Sequence, residues 1–189
     1  MAARAPGPPG LMSGGSRVRA ATLDDAPAIA HIRVETWRWA YRGIVPDEIL
    51  DGLTVEAGVE NWRRTIETAA DNGRSVWVAL DPDDGVVGYA AVGPEREGSE
   101  LARGEVYALY VHPTRQGHGA GRALMAVGTH WLSDRGLMPV QVWVLADNPS
   151  RRFYQRLGGQ LCGQREITLG IPLGEVAYCW PSPIDPPSP

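Results

Sequence analysis

The sequence predicts an α/β chain with elements in the order β-α-α-β-β-β-α-β-α-β-β, and three observations carry that prediction. Short runs rich in β-branched and aromatic residues recur between turn signals. Longer stretches repeat their apolar residues every three or four positions, as a helix buried along one side does. In residues 105–125 the two patterns meet: a strand runs into Gly117, Gly119 and Gly121 and then into helical spacing.

Residues 17–21 alternate as a first strand, and Thr22 with Asp25 three positions later forms a capping box that opens a helix over 24–41. Ile29, Ile32, Thr36, Trp37 and Ala40 share one side of it, and Gly43 and Pro46 end it. A second helix spans 54–70, with Val55, Val59, Trp62, Ile66 and Ala69 as its inward stripe. Strands at 75–80 and 86–92 flank the turn Asp81-Pro-Asp-Asp-Gly85, and 95–103 is a polar loop. The fourth strand ends at His112, because Pro113 removes a donor. A helix over 119–135 turns Leu124, Val127, Trp131 and Leu132 inward, and Gly136 stops it. Residues 140–145 are apolar enough for a central strand. Asn148 as N-cap and Pro149 at the first helical position start a short helix that Gly158 and Gly159 close. Residues 161–169 and 174–180 pair as a hairpin around Gly170-Ile-Pro172.

The 189 residues, 43% of them hydrophobic, suffice for one core, which gives a single domain over 17–180. Residues 1–16, with three prolines and four glycines, read as a disordered arm, and 181–189 as a loose tail. No apolar run suits a membrane span or a signal core, so no membrane partner is expected. A net charge of −4 repels nucleic acid as a bulk partner. Cys162 and Cys179 have no metal-ligand spacing and read as buried free thiols, which points to the cytoplasm. The four histidines form no metal motif, and no metal is expected.

A strand, a glycine loop and a helix start make an anion site, because glycines let the backbone turn its N–H groups inward and the helix adds its amides and positive dipole end. A nucleotide-triphosphate loop would need Lys and then Ser or Thr where Arg122-Ala123 stands. The dinucleotide fingerprint needs G-x-G-x-x-G, and these glycines run G-x-G-x-G. Gln116-x-x-Gly119-x-Gly121 after a strand resembles the acyl-CoA pyrophosphate loop of the GNAT superfamily of N-acyltransferases. The run N-P-S-R-R-F-Y-Q-R-L-G-G at 148–159 resembles that family's second CoA-contacting motif, and E-T-W-R-W-A-Y-R-G-I-V-P-D-E-I-L at 35–50 is similar to a subgroup of its small enzymes. The resemblance covers about residues 17–180. It departs at Gly159, where the family usually carries Phe, so looser packing is expected there.

The resemblance implies a GNAT fold: a mixed central sheet of six to seven strands flanked by about four helices, with the fourth and fifth strands splayed around CoA. It implies an acetyl-CoA-dependent N-acetyltransferase that transfers acetyl to a primary amine by direct attack on the thioester. The competing reading is a non-catalytic acyl-CoA-binding or regulatory module. Acetyl-CoA would be the acyl-donor cosubstrate, and a small-molecule or peptide amine the acceptor of a monomer or homodimer. The loop residues Gln116, Gly117, His118, Gly119, Ala120, Gly121 and Arg122 would hold the pyrophosphate, and Asn148 and Arg151 would add CoA contacts. Leu109, Tyr110 and Val111 would pair with the pantetheine like an added strand, with N–H groups near Tyr110 and Val111 holding the thioester oxygen.

Tyr154 matches the family's general acid toward the departing thiolate. Reference values of about 10 for a phenol and 8.5 for a thiol make full transfer uphill by roughly 2 kcal/mol, so a hydrogen bond to developing charge is the safer role. Phe153 reads as a core aromatic. Glu105 is the best-placed carboxylate to deprotonate the amine; a surface pair with Arg103, and water as the base, stay open beside it. Glu35, Trp37, Tyr41 and Glu175 would line the acceptor pocket, although Trp37 and Tyr41, four apart, also suit packing on one another.

Overall fold

The computed structural model describes residues 12–13, 16–83 and 85–186. Its strands are β1 (Met12–Ser13), β2 (Ser16–Ala20), β3 (Ser75–Leu80), β4 (Val86–Pro94), β5 (Gly104–Val111), β6 (Val140–Leu145), β7 (Gln160–Leu169) and β8 (Ile171–Trp180). The helices are α1 (Ala26–Ala40), α2 (Asp47–Asp51), α3 (Val55–Thr68), α4 (Ala120–Ser133) and α5 (Arg151–Arg156), with single 3-10 turns at Leu23–Asp25 and Pro113–Arg115. All strands join one sheet in the order β1-β2-β3-β4-β5-β6-β8-β7. Every neighbouring pair is antiparallel except β5 and β6, so the sheet is mixed as expected.

Strand alternation divides the sheet into two sides. Trp77, Ala79, Val87, Ala90, Val92, Val106, Val142 and Val144 form one core with Leu124, Met125 and Leu132 of α4. Val76, Val78, Leu80 and Tyr89 face the other way, onto Ile29 and Ile32 of α1 and Trp62 of α3. The α3 stripe falls where its spacing placed it but stays half-buried, and only Ala69 just beyond the helix is buried.

Two features of β5 position the site. It pairs with β6 only at Gly104↔Val140 and Glu105↔Gln141, and from Val106 onward the two strands part. Against β4 the register steps from Ala91↔Ala108 to Val92↔Val106, which leaves Tyr107 as a bulge. Tyr107 and Ala108 therefore both pack on the α1 side, and Leu109 and Val111 return to the α4 side.

Several expectations are corrected. Residues 47–51 form α2, too short for a period to register; Leu50 within it is fully buried, and Arg38 donates to the Leu53 carbonyl just beyond it at 2.9 Å. The last short helix starts at Arg151 rather than after Asn148, whose Oδ1 accepts the Ser150 N–H at 2.8 Å and turns the chain ahead of the helix. Cys162 and Cys179 are not free thiols. They form a disulfide with Cα atoms 5.9 Å apart, because the hairpin register brings two positions 17 residues apart in sequence side by side. The tail is not loose through residue 186: Ile184 is buried, and its N–H donates to Thr129 Oγ1 at 3.0 Å. Gly159 does not loosen its surroundings, since a Cβ there would lie 2.6 Å from the Trp180 ring, which fills that space. Of the expected arm, residues 1–11, 14 and 15 lie outside the described residues, and Met12–Ser13 pairs back on Ser16 and Arg17. Among the described residues no helix is long and apolar enough to cross a membrane.

The capping box is present and carries charge. The buried Asp25 carboxylate accepts the Thr22 N–H at 2.7 Å and two bonds from Arg19 at 2.7 and 2.9 Å. Burial alone would raise its pKa, but the Arg19 and Thr22 bonds outweigh it and hold the carboxyl below its ordinary value. A depressed pKa contributes stability above the unfolded value of about 3.9, and that stability is lost as pH falls through the lower folded value. Asp25→Ala is expected to cost roughly 1–3 kcal/mol at neutral pH, with the deficit shrinking in acid. Urea melts of both proteins across pH check this.

Candidate active site

Where β5 leaves β6, its backbone is offered to the gap by a two-residue alternation. His112 N–H donates to the Val87 carbonyl of β4 at 2.9 Å, and the register places Tyr110 opposite Tyr89 with the same orientation. Leu109 and Val111 therefore turn their amides into the gap, and Gln116 Nε2 meets the Val111 carbonyl there at 3.1 Å. The gap opens into a cleft of about 730 Å³ that reaches both sides of the sheet.

On the α4 side the cleft is built for anions. Gly117 and Gly119 have φ of 83° and 86°, the left-handed region glycine adopts at little cost, and Gly119 directly precedes the 14-residue α4. Gly121 is required for closeness instead, since a Cβ would sit 3.2 Å from the Phe153 ring. Arg115, Arg122 and Arg156 line this part of the cleft, and the buried Arg122 Nε has no hydrogen-bond partner. A glycine cradle, a helix N-terminus and an orphaned guanidinium N–H together fit a pyrophosphate ligand.

Deeper in the cleft four polar side chains converge: Tyr41 from the residue that caps α1, Tyr110 from β5, and Asn148 and Tyr154 from the β6–α5 region. Tyr154 is buried against Phe153, Tyr178 and Trp180 at ring separations of 5.2, 6.1 and 6.2 Å. Burial, and then the Tyr110 phenol, raise its pKa above the ordinary value. Burial also raises that of Tyr41, with Tyr110 adding to the shift and Asn148 opposing it.

Not every expected residue comes here. Leu109, Tyr110, Val111, Gln116, Gly117, Gly119, Ala120, Gly121, Arg122 and Asn148 line the cleft, but His118 and Arg151 do not. His118 is exposed, with Nδ1 2.9 Å from the Gln116 carbonyl. Arg151 holds the turn before its own helix, donating to the Ala146 carbonyl at 2.6 Å and to the Tyr178 hydroxyl at 3.3 Å. Of the acceptor set only Tyr41 lines the cleft. Trp37 packs edge-on against it at 5.0 Å, and Glu35 is half-buried outside the lining. Glu175 accepts from Arg165 at 2.8 Å in a separate open pocket of about 330 Å³. Glu105 sits at the vertex where β5 and β6 still pair, 2% exposed, bound to Arg96 rather than Arg103, and outside the lining. Sequence reasoning missed Thr36, Trp39, Tyr107, Trp143, Arg115 and Arg156 as lining residues. Arg115 and Arg156 stand at the margins of the two motifs and were within reach of it, whereas Trp143 needed the splay to be seen.

A profile of the acetyltransferase (GNAT) family matches residues 28–159. The chain belongs to the GNAT acetyltransferase family. An uncharacterized N-acetyltransferase of Bacillus subtilis (strain 168), YuaI, is 36% identical over 166 residues, which is 87% of this chain and 92% of that protein. The mycothiol acetyltransferase of Rhodococcus jostii (strain RHA1) is 34% identical over 136 residues, 62% of this chain and 43% of that longer protein. The crystal structure of the PaiA N-acetyltransferase from Thermoplasma acidophilum, solved in complex with coenzyme A, superimposes with a TM-score of 0.70 over 87% of this chain and 99% of its own; at 17% identity it shows the shared GNAT fold. The family and fold that the motifs implied are thus borne out, and as a GNAT N-acetyltransferase the chain draws its acyl group from acetyl-CoA.

Proposed function

We propose that this GNAT enzyme acetylates a primary amine through a cleft that the donor enters from the α4 side and the acceptor from the α1 side. The observation that carries the reading is the passage through the splayed sheet, with a glycine cradle at one end and the buried Tyr154 on its wall. Gly117, Gly119, Gln116, Arg122 and the α4 amides hold the phosphates, with Arg115 and Arg156 beside them. Leu109 and Val111, whose backbone faces the gap, align the pantetheine arm as an added strand would and hold the thioester oxygen. Tyr110 is not one of those backbone donors, because its amide is committed to β4. Bound acetyl-CoA supplies an activated acyl thioester.

As the amine nitrogen forms its bond to the acyl carbon, the carbon–sulfur bond breaks and the sulfur takes the electron pair. Tyr154 donates a hydrogen bond to that sulfur. Its raised pKa makes complete proton transfer costlier than the roughly 2 kcal/mol of unperturbed groups, so the phenol keeps its proton and stabilises developing charge. The amine's proton leaves through water, since the Glu105 carboxylate is held by Arg96 behind the cleft's vertex. Glu105→Gln is accordingly expected to leave the shape of the pH profile of kcat/KM unchanged while lowering stability by roughly 1–3 kcal/mol, the cost of disrupting a buried charged bond. A rate deficit that grows as pH falls would return base duty to Glu105.

The reading places the enzyme in the cytoplasm on the strength of its acyl-CoA supply alone, since the Cys162–Cys179 disulfide removes the free-thiol argument for that compartment. Thiol release from acetyl-CoA, followed with the purified full chain and a panel of amines, tests the function. Saturable CoA binding with no thiol release for any amine would replace it with a binding module.

A further inference from the structure

The α1-side half of the cleft has a chemistry of its own. It is lined by Thr36, Trp39, Tyr41, Tyr107, Tyr110 and Trp143. Two of these carry buried polar atoms without a hydrogen-bond partner, Thr36 Oγ1 and Trp143 Nε1. Thr36 is 5% exposed and its hydroxyl bonds neither the helix nor a neighbour, although a helical threonine can bond the carbonyl one turn back. Trp143 lies on the opposite wall with Arg165 stacked 4.1 Å over its ring, which fixes the indole in place. A buried donor left unpaired costs about 1–3 kcal/mol, so a ligand oxygen that reaches these two lining groups recovers part of that cost.

Charge narrows the ligand. Glu105 and Glu175 are bound to Arg96 and Arg165 and, like Glu35, lie outside the lining. The one lining carboxylate among the described residues is Asp147, exposed in the turn that leads to Tyr154's helix. Arg42 at the mouth is paired with Asp47 at 2.9 Å and Asp51 at 3.3 Å. Apart from the exposed Asp147, a second ammonium on the acceptor would meet only carboxylates already bound to arginine, and a carboxylate would meet a guanidinium already neutralised. Aromatic walls and hydroxyls suit a neutral body.

We infer that this half is an acceptor pocket for a primary monoamine on a neutral, oxygen-bearing body, such as an amino-acid amide. Trp143 Nε1 and the Thr36 hydroxyl hydrogen-bond the body's oxygen while its amine points into the splay. The inference rests on the acetyl-transfer reading above and adds the acceptor's class and the two residues that select it.

Phenylalaninamide, phenethylamine, 1,4-diaminobutane and spermidine distinguish the possibilities, with kcat/KM expressed per free base. The amide is expected to exceed the oxygen-free phenethylamine and both polyamines by roughly tenfold, the value of one to two hydrogen bonds. Thr36→Val, which keeps the side chain's shape, should raise KM for the amide about fivefold and change that for phenethylamine less than twofold. Trp143→Phe should do the same, with CoA affinity by calorimetry and circular dichroism confirming an intact fold. Preference for a diamine or spermidine would overturn the inference while leaving acetyl transfer standing. So would variants that slow all acceptors alike. Failure of every amine would instead remove the acetyl-transfer reading, and this inference with it.

Discussion

Tyr154→Phe is expected to lower kcat by roughly ten- to a thousandfold with little change in the affinity for CoA. The substitution isolates one interaction, because the ring packs among Phe153, Tyr178 and Trp180 and phenylalanine keeps that packing. Only the hydroxyl is lost, and in the proposed mechanism it acts where the sulfur gains charge, so the loss falls on the transition state rather than on donor binding. Thermal stability should change little, since removing a buried hydroxyl can even relieve a desolvation cost. A change in KM alone would make Tyr154 a binding residue. Full turnover under conditions where chemistry limits the rate would shift the donor role to Tyr41 or Tyr110, the other phenols converging on the same point.

The glycine-cradle half of the cleft was legible in the sequence and the α1-side half was not, for a physical reason. Glycines report backbone geometry directly, so Gly117 and Gly119 announced their left-handed positions as residues. The strand-loop-helix order then fixed where α4 begins. The α1-side half depends on strand register and on which neighbour a carboxylate meets, and neither is local. Tyr107 and Ala108 share a side only because β5 bulges between them. Glu105 pairs with Arg96, nine residues back along the chain, and the sequence offered Arg103 just as plausibly. Tertiary pairing also decided the disulfide, since Cys162 and Cys179 meet through a hairpin whose bulge the sequence does not mark. Ile184 stands among prolines whose composition suits a loose tail, yet one apolar side chain and one N–H reaching Thr129 suffice to anchor the segment. In each case a partner distant in sequence settles the outcome.

Gly119→Asp is expected to weaken acetyl-CoA binding roughly a hundredfold or more, about 2.8 kcal/mol, while the fold survives. Gly119 sits at φ 86° immediately before α4, a conformation that aspartate tolerates better than most side chains. The same carboxylate is attracted to the helix N-terminus and would occupy the positive end that the pyrophosphate needs, so the side chain competes for the site as well as repelling its ligand. Gly121→Asp is the poorer probe: its Cβ would meet the Phe153 ring at 3.2 Å, and lost packing would mix with lost binding. Gly119→Ala separates backbone strain from charge, since it adds the Cβ without the carboxylate and should lose less affinity. High salt should narrow the gap between the two variants, because screening weakens the exposed carboxylate's repulsion and leaves strain untouched. Titration calorimetry with CoA reads all three effects. An unchanged dissociation constant for folded Gly119→Asp would move the phosphate site away from this loop, and with it the direction from which the donor enters the splayed sheet.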